Sequence, residues 1–333
     1  MSVRRKTWLV LTVLILGLGI FAWSRSGLLD LPSIPSSLTL ESTGLGSLEE
    51  MKHLNAEISS TNSDMKLSPA AAMVQSGLAA CRAGSVSNGL DQIRQGIRLD
   101  PNNLVLANAY RMTVFGLRRD FLASARQQSS VIPQFPPELD HQPIRFFEEL
   151  DRVRPSRETK LHLALAWVDE MLLFPALEIK APSSVQAVDL LTQVVDKGEP
   201  GYVPALYARG LNHLHRPSRL VWPESAKTPR DVAAQDIGRC VAIGRRFHVG
   251  SSRLQATLAL SLGDAFVKAG RLGVARSWWQ IAQNLCREDE IQSAVRRRYA
   301  WQNEEILDRL EEELDRGRSS LEHPMTDLAF MWN

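Results

Sequence analysis

Helical periodicity dominates the chain from residue 69 to its end. Apolar residues recur there at spacings of three and four, and alternating runs of β-branched residues are scarce. This period is typical of amphipathic α-helices that pack on one face. Turn-forming residues interrupt it at Gly84, at residues 100–103 and 198–201, and at Gly270. The pattern predicts an all-α domain over residues 69–333, with helices of about 12 to 18 residues.

An uncharged apolar run lies near the N-terminus. Residues 8–23 begin and end with tryptophan and follow basic residues at positions 4–6. As a helix the run is about 24 Å long, and one residue on either side extends it toward the ~30 Å hydrocarbon core. We predict a transmembrane helix or signal-anchor within residues 1–24, with a cytoplasmic N-terminus and an extracytoplasmic, periplasmic helical domain. A cleaved signal peptide is one alternative, because Ala22 and Ser24 have the spacing that signal peptidase recognises, and an anchor with the helical domain facing the cytoplasm is another.

The segment between this run and the helical domain has a different composition. Residues 25–68 are rich in Ser, Thr, Gly and Leu and show no sustained helical stripe, apart from one short candidate helix at residues 51–58. A coil of this length spans roughly 35–40 Å. We therefore predict a flexible linker that holds the folded domain clear of the lipid headgroups.

A set of small and aromatic side chains is spaced along residues 259–287. The set consists of Leu262, Gly263, Phe266, Gly270, Ala275, Trp279 and Ala282. Its order and spacing resemble the tetratricopeptide repeat (TPR), a pair of antiparallel helices. Two positions depart from that repeat, because Ala259 stands where Trp is usual and Arg287 stands where Pro is usual.

A second unit with the same resemblance covers residues 70–103. Its matching positions are Gly77, Ala80, Gly84, Gly89, Ile93 and Gly96. Small residues at Gly77 and Ala80 allow two antiparallel helices to approach closely, and Pro101 prevents the second helix from continuing.

Between these two units the repeat is degenerate. Residues 206–211 with 233–247, and residues 161–173 with 184–195, predict two further hairpins. Residues 290–318 predict one long helix with an apolar face and a charged face, as the end of a solenoid requires. The resemblance implies an α-solenoid of TPR-like helical hairpins with a long C-terminal capping helix, preceded by a single transmembrane helix. A helical bundle without true repeats is the alternative.

The composition gives little reason to expect nucleic-acid binding or catalysis. The chain has 39 Lys and Arg against 37 Asp and Glu, a net charge of +2, which is too small to suggest a nucleic-acid partner. It contains no nucleotide-binding glycine loop and no nucleophile elbow. His213 and His215 are the nearest pair of histidines, and on a regular helix they lie about 200° apart. We therefore predict no catalytic residue, no cofactor and no metal, and a protein that is not an enzyme.

Other polar groups are predicted to lie on solvated helix faces. The adjacent carboxylates of Asp169 and Glu170 are one example, and the basic clusters at residues 118–119, 245–246 and 296–298 are others. The cysteines lie among apolar residues, far apart in sequence, and are predicted to be small buried side chains: Cys81, Cys240 and Cys286.

The resemblance to the TPR implies that the first helices of the hairpins line a concave surface that binds a partner. The residues predicted there are Val74, Leu78, Arg82, Tyr207, Leu211, Leu260, Asp264 and Lys268. Two Pro-rich insertions, residues 133–143 with Phe135 and residues 216–229 with Trp222, are predicted to offer further docking groups. The closing residues 328–333 are unusually apolar and are predicted to cover the last hairpin or to insert into a neighbour.

These features together favour a membrane-anchored protein-interaction scaffold. Its partner would be a protein or a peptide segment, and residues 8–23 would bind the membrane. A permanent structural accessory subunit of a larger membrane complex is the first alternative. An enzyme without a recognisable motif is the second.

Overall fold

The computed structural model describes residues 31–60, 67–128, 134–174, 177–217, 229–319 and 325–333. Within these ranges the chain is all-α, with thirteen α-helices and two short 3-10 helices, Glu41–Thr43 and Leu328–Met331. The α-helices are α1 Leu48–Ser59, α2 Pro69–Arg82, α3 Val86–Leu99, α4 Leu104–Gln128, α5 Gln142–Val153, α6 Arg157–Leu173, α7 Leu177–Lys197, α8 Val203–Leu214, α9 Pro229–Phe247, α10 Ser252–Lys268, α11 Leu272–Leu285, α12 Asp289–Ala300 and α13 Ile306–Ser319.

The predicted transmembrane run, residues 8–23, lies outside the described ranges. Among the residues that are described, no helix combines the length and the apolar character needed to cross a membrane. The transmembrane helix therefore stays a prediction from the sequence.

Consecutive helices pack as hairpins along the chain. The pairs with extensive packing are α2 with α3, α6 with α7, α8 with α9, and α10 with α11. The units predicted at residues 70–103 and 259–287 are confirmed as the first and last of these pairs. The degenerate middle also forms the two hairpins predicted for it.

Glycines set the close approach of α2 and α3. A Cβ atom placed on Gly77 would lie 2.5 Å from the carbonyl oxygen of Gly89, and one on Gly96 would lie 2.6 Å from that of Ala70. The helices are antiparallel, because the later residue of α2, Gly77, lies against the earlier residue of α3, Gly89, and Ala70 lies against Gly96. Gly84 makes the turn between them with φ +86°, a conformation that favours glycine.

In the hairpin of α10 and α11, a glycine on one helix likewise allows a close contact, here with a tryptophan of the other helix. Gly263 leaves room for the fully buried indole of Trp279, whose Nε1 donates a hydrogen bond to Asp264 at 2.9 Å. Ser251 caps α10 by accepting from the Leu254 amide, and Gly270 makes the following turn with φ +75°.

Residues 31–60 are folded against the helical domain, in contrast to the linker predicted for residues 25–68. Leu45 and Ile58 are buried in the common core. Gln75 of α2 donates to the carbonyl oxygens of Glu57 and Ser60 at 3.0 and 3.1 Å. The apolar side chains of this segment are irregularly spaced, so the helical period did not reveal that they are buried.

The predicted long capping helix is broken into α12 and α13. The break follows Trp301, which has extended backbone angles. Arg298, just before it, points inward and donates to Asp264 of α10 at 2.7 Å and to Glu313 of α13 at 2.9 Å. Because this side chain of α12 binds carboxylates of both α10 and α13, the break lets α13 turn back toward α10, whereas a continuous helix would carry Glu313 away from Asp264.

Gly263→Leu is expected to force α10 away from α11. A Cβ at this position would lie 2.5 Å from Trp279 and 3.0 Å from the Ala275 carbonyl oxygen, so the substitution should lower the free energy of unfolding by about 1–3 kcal/mol or more. Thermal and urea unfolding measure the loss. Gly273→Leu on α11 is the matched control, since no neighbouring atom lies within 4 Å of its added Cβ. Equal stability of the two variants would contradict this packing.

Candidate functional site

The structure places most of the predicted partner-contacting residues in the core. The buried ones are Val74, Leu78, Tyr207, Leu211, Asp264 and Lys268. Leu260 is half-buried, and Arg82 is exposed and donates to the Ser59 carbonyl oxygen at 3.3 Å. Trp222 lies outside the described residues, and its docking role stays a prediction.

A surface formed by α4, α6 and α8, the first helices of successive units, is occupied by the chain itself. We call this surface the inner groove and define it by Asn108, Arg111, Asp169 and Tyr207. Residues 325–333, here called the groove segment, lie across it. The segment was predicted to cover the last hairpin or to insert into a neighbour, and instead it binds the helices of the middle units.

Arg111 is the centre of the groove. Its side chain has no exposed surface, and its Nη1 donates to Asp169 at 2.6 Å. Its Nε donates to Nδ1 of His162 at 3.2 Å, and its Nη2 donates both to Asn108 at 3.0 Å and to the backbone carbonyl oxygen of Thr326 at 2.6 Å. The guanidinium therefore joins two helices and the groove segment through charge-assisted hydrogen bonds.

The same environment sets the ionisation of the neighbouring groups. Burial and the charge of Arg111 hold the pKa of His162 well below its usual value, so the imidazole is neutral and accepts at Nδ1. Burial raises the pKa of Asp169, although the guanidinium of Arg111 and the hydroxyl of Thr326 oppose that shift.

Asn108 binds the groove segment at two points. Its Oδ1 accepts from the backbone N–H of Leu328 at 3.1 Å, and its Nδ2 donates to the carboxylate of Asp327 at 2.8 Å. The hydroxyl of Thr326 donates to Asp169. Asn108 and Arg111 thus contact the backbone of the segment, which any peptide could offer, and Asp169 contacts a side chain.

Apolar contacts complete the site. The rings of Phe330 and Tyr207 lie 4.8 Å apart between centroids, which places the segment against α8. Three further side chains of the segment are buried in the common core: Leu328, Met331 and Trp332. The indole Nε1 of Trp332 is buried and makes no hydrogen bond.

Several polar groups that were predicted to be solvated are buried. Asp169 and Glu170 both point inward, and Arg118 makes a two-point ion pair with Glu170 at 2.6 and 3.1 Å. The guanidinium of Arg118 also stacks 4.3 Å above Phe135, so this side chain of the first insertion packs on the helices. Arg298 is buried as well, between the carboxylates that it joins. Charge pattern alone could not separate these groups from surface ions, because their partners are distant in sequence.

The three cysteines all pack in or against the core, as their apolar neighbours in the sequence predicted. Cys240 and Cys286 are buried and Cys81 is half-buried, and all three are free thiols. Burial raises the pKa of Cys240 well above its usual value, which makes its thiol unreactive. Among the described residues, no group of three or more metal-ligating side chains comes together.

No protein-family model matches the chain, and no curated protein matches it. Among solved structures, it is similar to a thermophilic TPR protein of Thermus thermophilus, with 15% identity, a TM-score of 0.42, and coverage of 68% of this chain and 98% of that one. The TPR-like hairpins of this chain rest on their own packing, since a likeness of this size carries no weight.

Arg111→Met should destabilise the fold strongly. The change leaves the Asp169 carboxylate buried without its guanidinium partner, and breaking a buried pair in this way costs about 3–5 kcal/mol. Urea unfolding measures the loss. The double variant Arg111→Met/Asp169→Leu should recover much of it, because no charge is stranded. Arg119→Met, which removes a partly exposed partner of Asp120 on α4, should cost less than about 1 kcal/mol. A double variant as unstable as the single one would contradict the pairing.

Acid should destabilise the protein before its carboxylates titrate. Burial, with the charges of Arg216 and Arg209, lowers the pKa of His213 to about 3. The unfolded chain protonates this group near pH 6.5 and the folded chain does not, so the free energy of unfolding should fall by about 1.4 kcal/mol per pH unit below that pH for each such histidine. His213→Gln should reduce the slope between pH 6 and 5 by about one proton relative to the wild type. An unchanged slope in His213→Gln would show that this side chain is charged in the fold.

Proposed function

We propose that the protein is a membrane-anchored protein-interaction scaffold that holds or assembles a partner protein or complex at the membrane. One observation carries the proposal. The inner groove binds a peptide segment through its backbone, by way of Arg111 and Asn108, and through an aromatic contact with Tyr207. Backbone hydrogen bonds combined with side-chain pockets are the general means by which proteins bind extended peptides.

The membrane part of the proposal rests on the sequence. Residues 8–23 are uncharged, bounded by tryptophan, and preceded by basic residues. By the positive-inside rule this arrangement supports a cytoplasmic N-terminus and an extracytoplasmic helical domain. The proposed scaffold would then act at the periplasmic surface of the membrane.

A second candidate, a permanent accessory subunit of a membrane complex, is favoured by a small apolar surface. Leu99 is 59% exposed at the end of α3, and Val153 is 65% exposed at the end of α5. The two helix ends are adjacent, because Arg154 donates to the Arg98 carbonyl oxygen at 2.9 Å. Single exposed apolar side chains are common on protein surfaces, but two of them at adjacent helix ends form a surface that a stable partner would cover.

Membrane retention is the first test of the scaffold proposal. The full chain should remain in the membrane fraction through high-salt and carbonate washes, because a hydrophobic helix is not released by either treatment. A chain that lacks residues 1–24 is the control and should be recovered in the soluble fraction. Release of the full chain by carbonate would overturn the anchor.

Partner capture is the second arm of that test. Cross-linked membranes would be solubilised in detergent and the full chain purified, together with a control in which residues 69–333 are replaced by an unrelated domain. A scaffold should retain at least one protein that the control does not. Identical recoveries from both would overturn the scaffold function.

A further inference from the structure

We propose that the inner groove is a peptide site that its own groove segment closes, and that a partner segment of the same chemistry displaces residues 325–333. The inference rests on the scaffold function and adds the kind of partner and its regulation. The partner segment would carry a hydroxyl residue and an aspartate, then an apolar residue, and an aromatic residue two positions further on.

The main contacts do not depend on the identity of the segment. Arg111 donates to the carbonyl oxygen of residue 326, and Asn108 accepts from the N–H of residue 328. Every peptide presents these two groups unless proline stands at the position of residue 328, where it would remove the N–H. The groove therefore provides a general clamp for a backbone in this conformation.

Three side-chain contacts define the preferred sequence. Thr326 donates its hydroxyl to Asp169, and Asp327 accepts from Asn108 at 2.8 Å. The same Asp327 carboxylate accepts from the N–H of Ala329 at 2.9 Å, which starts the short 3-10 helix Leu328–Met331. That helix directs Phe330 onto Tyr207. A partner that reproduces the hydroxyl, the carboxylate and the aromatic ring would make the same contacts.

The groove is prepared to receive a second peptide once the segment leaves. Three of the hydrogen bonds of Arg111, to Asp169, His162 and Asn108, lie within the helical domain and do not involve the segment. The guanidinium thus stays paired and oriented with the groove empty. A preorganised site of this kind binds without a further ordering cost.

The groove segment also leaves one of its own polar atoms unmatched. The Nε1 of Trp332 is buried without a hydrogen-bond partner. An unsatisfied buried donor weakens the bound state. The segment is therefore a suboptimal occupant, and a partner with a better-matched end can compete with it.

The size of the competition follows from the tether. A segment on the same chain acts at an effective concentration of about 1 mM. If the free peptide has a dissociation constant of about 10 µM, the tethered segment weakens binding of a second peptide by about 100-fold.

The test uses the detergent-solubilised full chain and a fluorescein-labelled peptide with the sequence of residues 325–333. Fluorescence anisotropy compares the wild type with Asp327→Ala/Phe330→Ala, which weakens the groove segment and leaves the groove intact. The double variant should bind the peptide about 100-fold more tightly than the wild type does. Asn333→Ala is the matched control, because it removes only an exposed hydrogen bond from Asn55 at 3.4 Å, and it should bind the peptide nearly as the wild type does.

Two further arms assign the binding to the groove. Adding Asn108→Ala to the double variant should weaken peptide binding at least tenfold, and so should replacing the aspartate of the peptide by alanine. Far-UV circular dichroism checks that each variant folds. If the double variant does not fold, hydrogen exchange of the wild type replaces it: excess peptide should speed exchange at the amides of Leu328 and Ala329 and leave those of α10 unchanged.

Several results would overturn the inference. One is that neither the wild type nor the double variant binds the peptide, and that excess peptide does not change hydrogen exchange in the groove segment. This result would make residues 325–333 a permanent part of the core. Another is peptide-sensitive doubling of the molar mass in light scattering, which would identify the occupant as the segment of a second copy.

The scaffold proposal can fail or survive separately. Partner recovery from cross-linked membranes should rise in Asp327→Ala/Phe330→Ala and fall when Asn108→Ala is added. Equal recovery from all variants would leave the scaffold intact and remove the groove as its site. Peptide binding as expected, with no partner in any purification, would support the groove and contradict the scaffold.

Discussion

A single guanidinium holds the middle of this molecule together. Arg111 is fully buried, and a charge in that position is tolerated only when its donors are satisfied. Asp169 supplies the opposite charge from α6, and Thr326 supplies a backbone carbonyl from a part of the chain more than 200 residues away. Because the charge of Arg111 needs the carboxylate of Asp169, the pair fixes how α4 packs on α6, and the Thr326 carbonyl adds one further acceptor when the groove segment is in place.

Buried pairs of the same kind recur along the helical domain. Arg118 with Glu170 joins α4 to α6, Arg209 with Asp236 joins α8 to α9, and Arg298 with Asp264 joins α12 to α10. Apolar helix faces can slide on one another at small cost, whereas a buried ion pair permits one alignment. Glycines set a different quantity, the distance between helices, because Gly77, Gly89 and Gly263 determine how closely the helices approach. The hairpins therefore take their spacing from small residues and their alignment from charges.

This division bears on the proposed function. Helical hairpins joined by internal ion pairs keep the inner groove in a defined shape, which is what a peptide site requires. Here the surface already holds a peptide, contacted through its backbone as well as its side chains. The same contacts that stabilise the fold thus describe the partner that we propose, and they explain why a binding site was not visible as an exposed surface.

The sequence by itself determined the helical class, the two clear hairpins and the turns at Gly84 and Gly270, because these depend on local spacing and backbone preference. It also indicated that residues 328–333 are too apolar for a free tail. It could not show that Asp169, Arg298 and Lys268 are buried, because a charged side chain is buried only when a partner distant in sequence satisfies it. Tertiary structure decided three further features for the same reason: the folded position of residues 31–60, the break between α12 and α13, and the position of the groove segment on α4, α6 and α8. Each depends on hydrogen bonds and burial between parts of the chain that no local pattern connects.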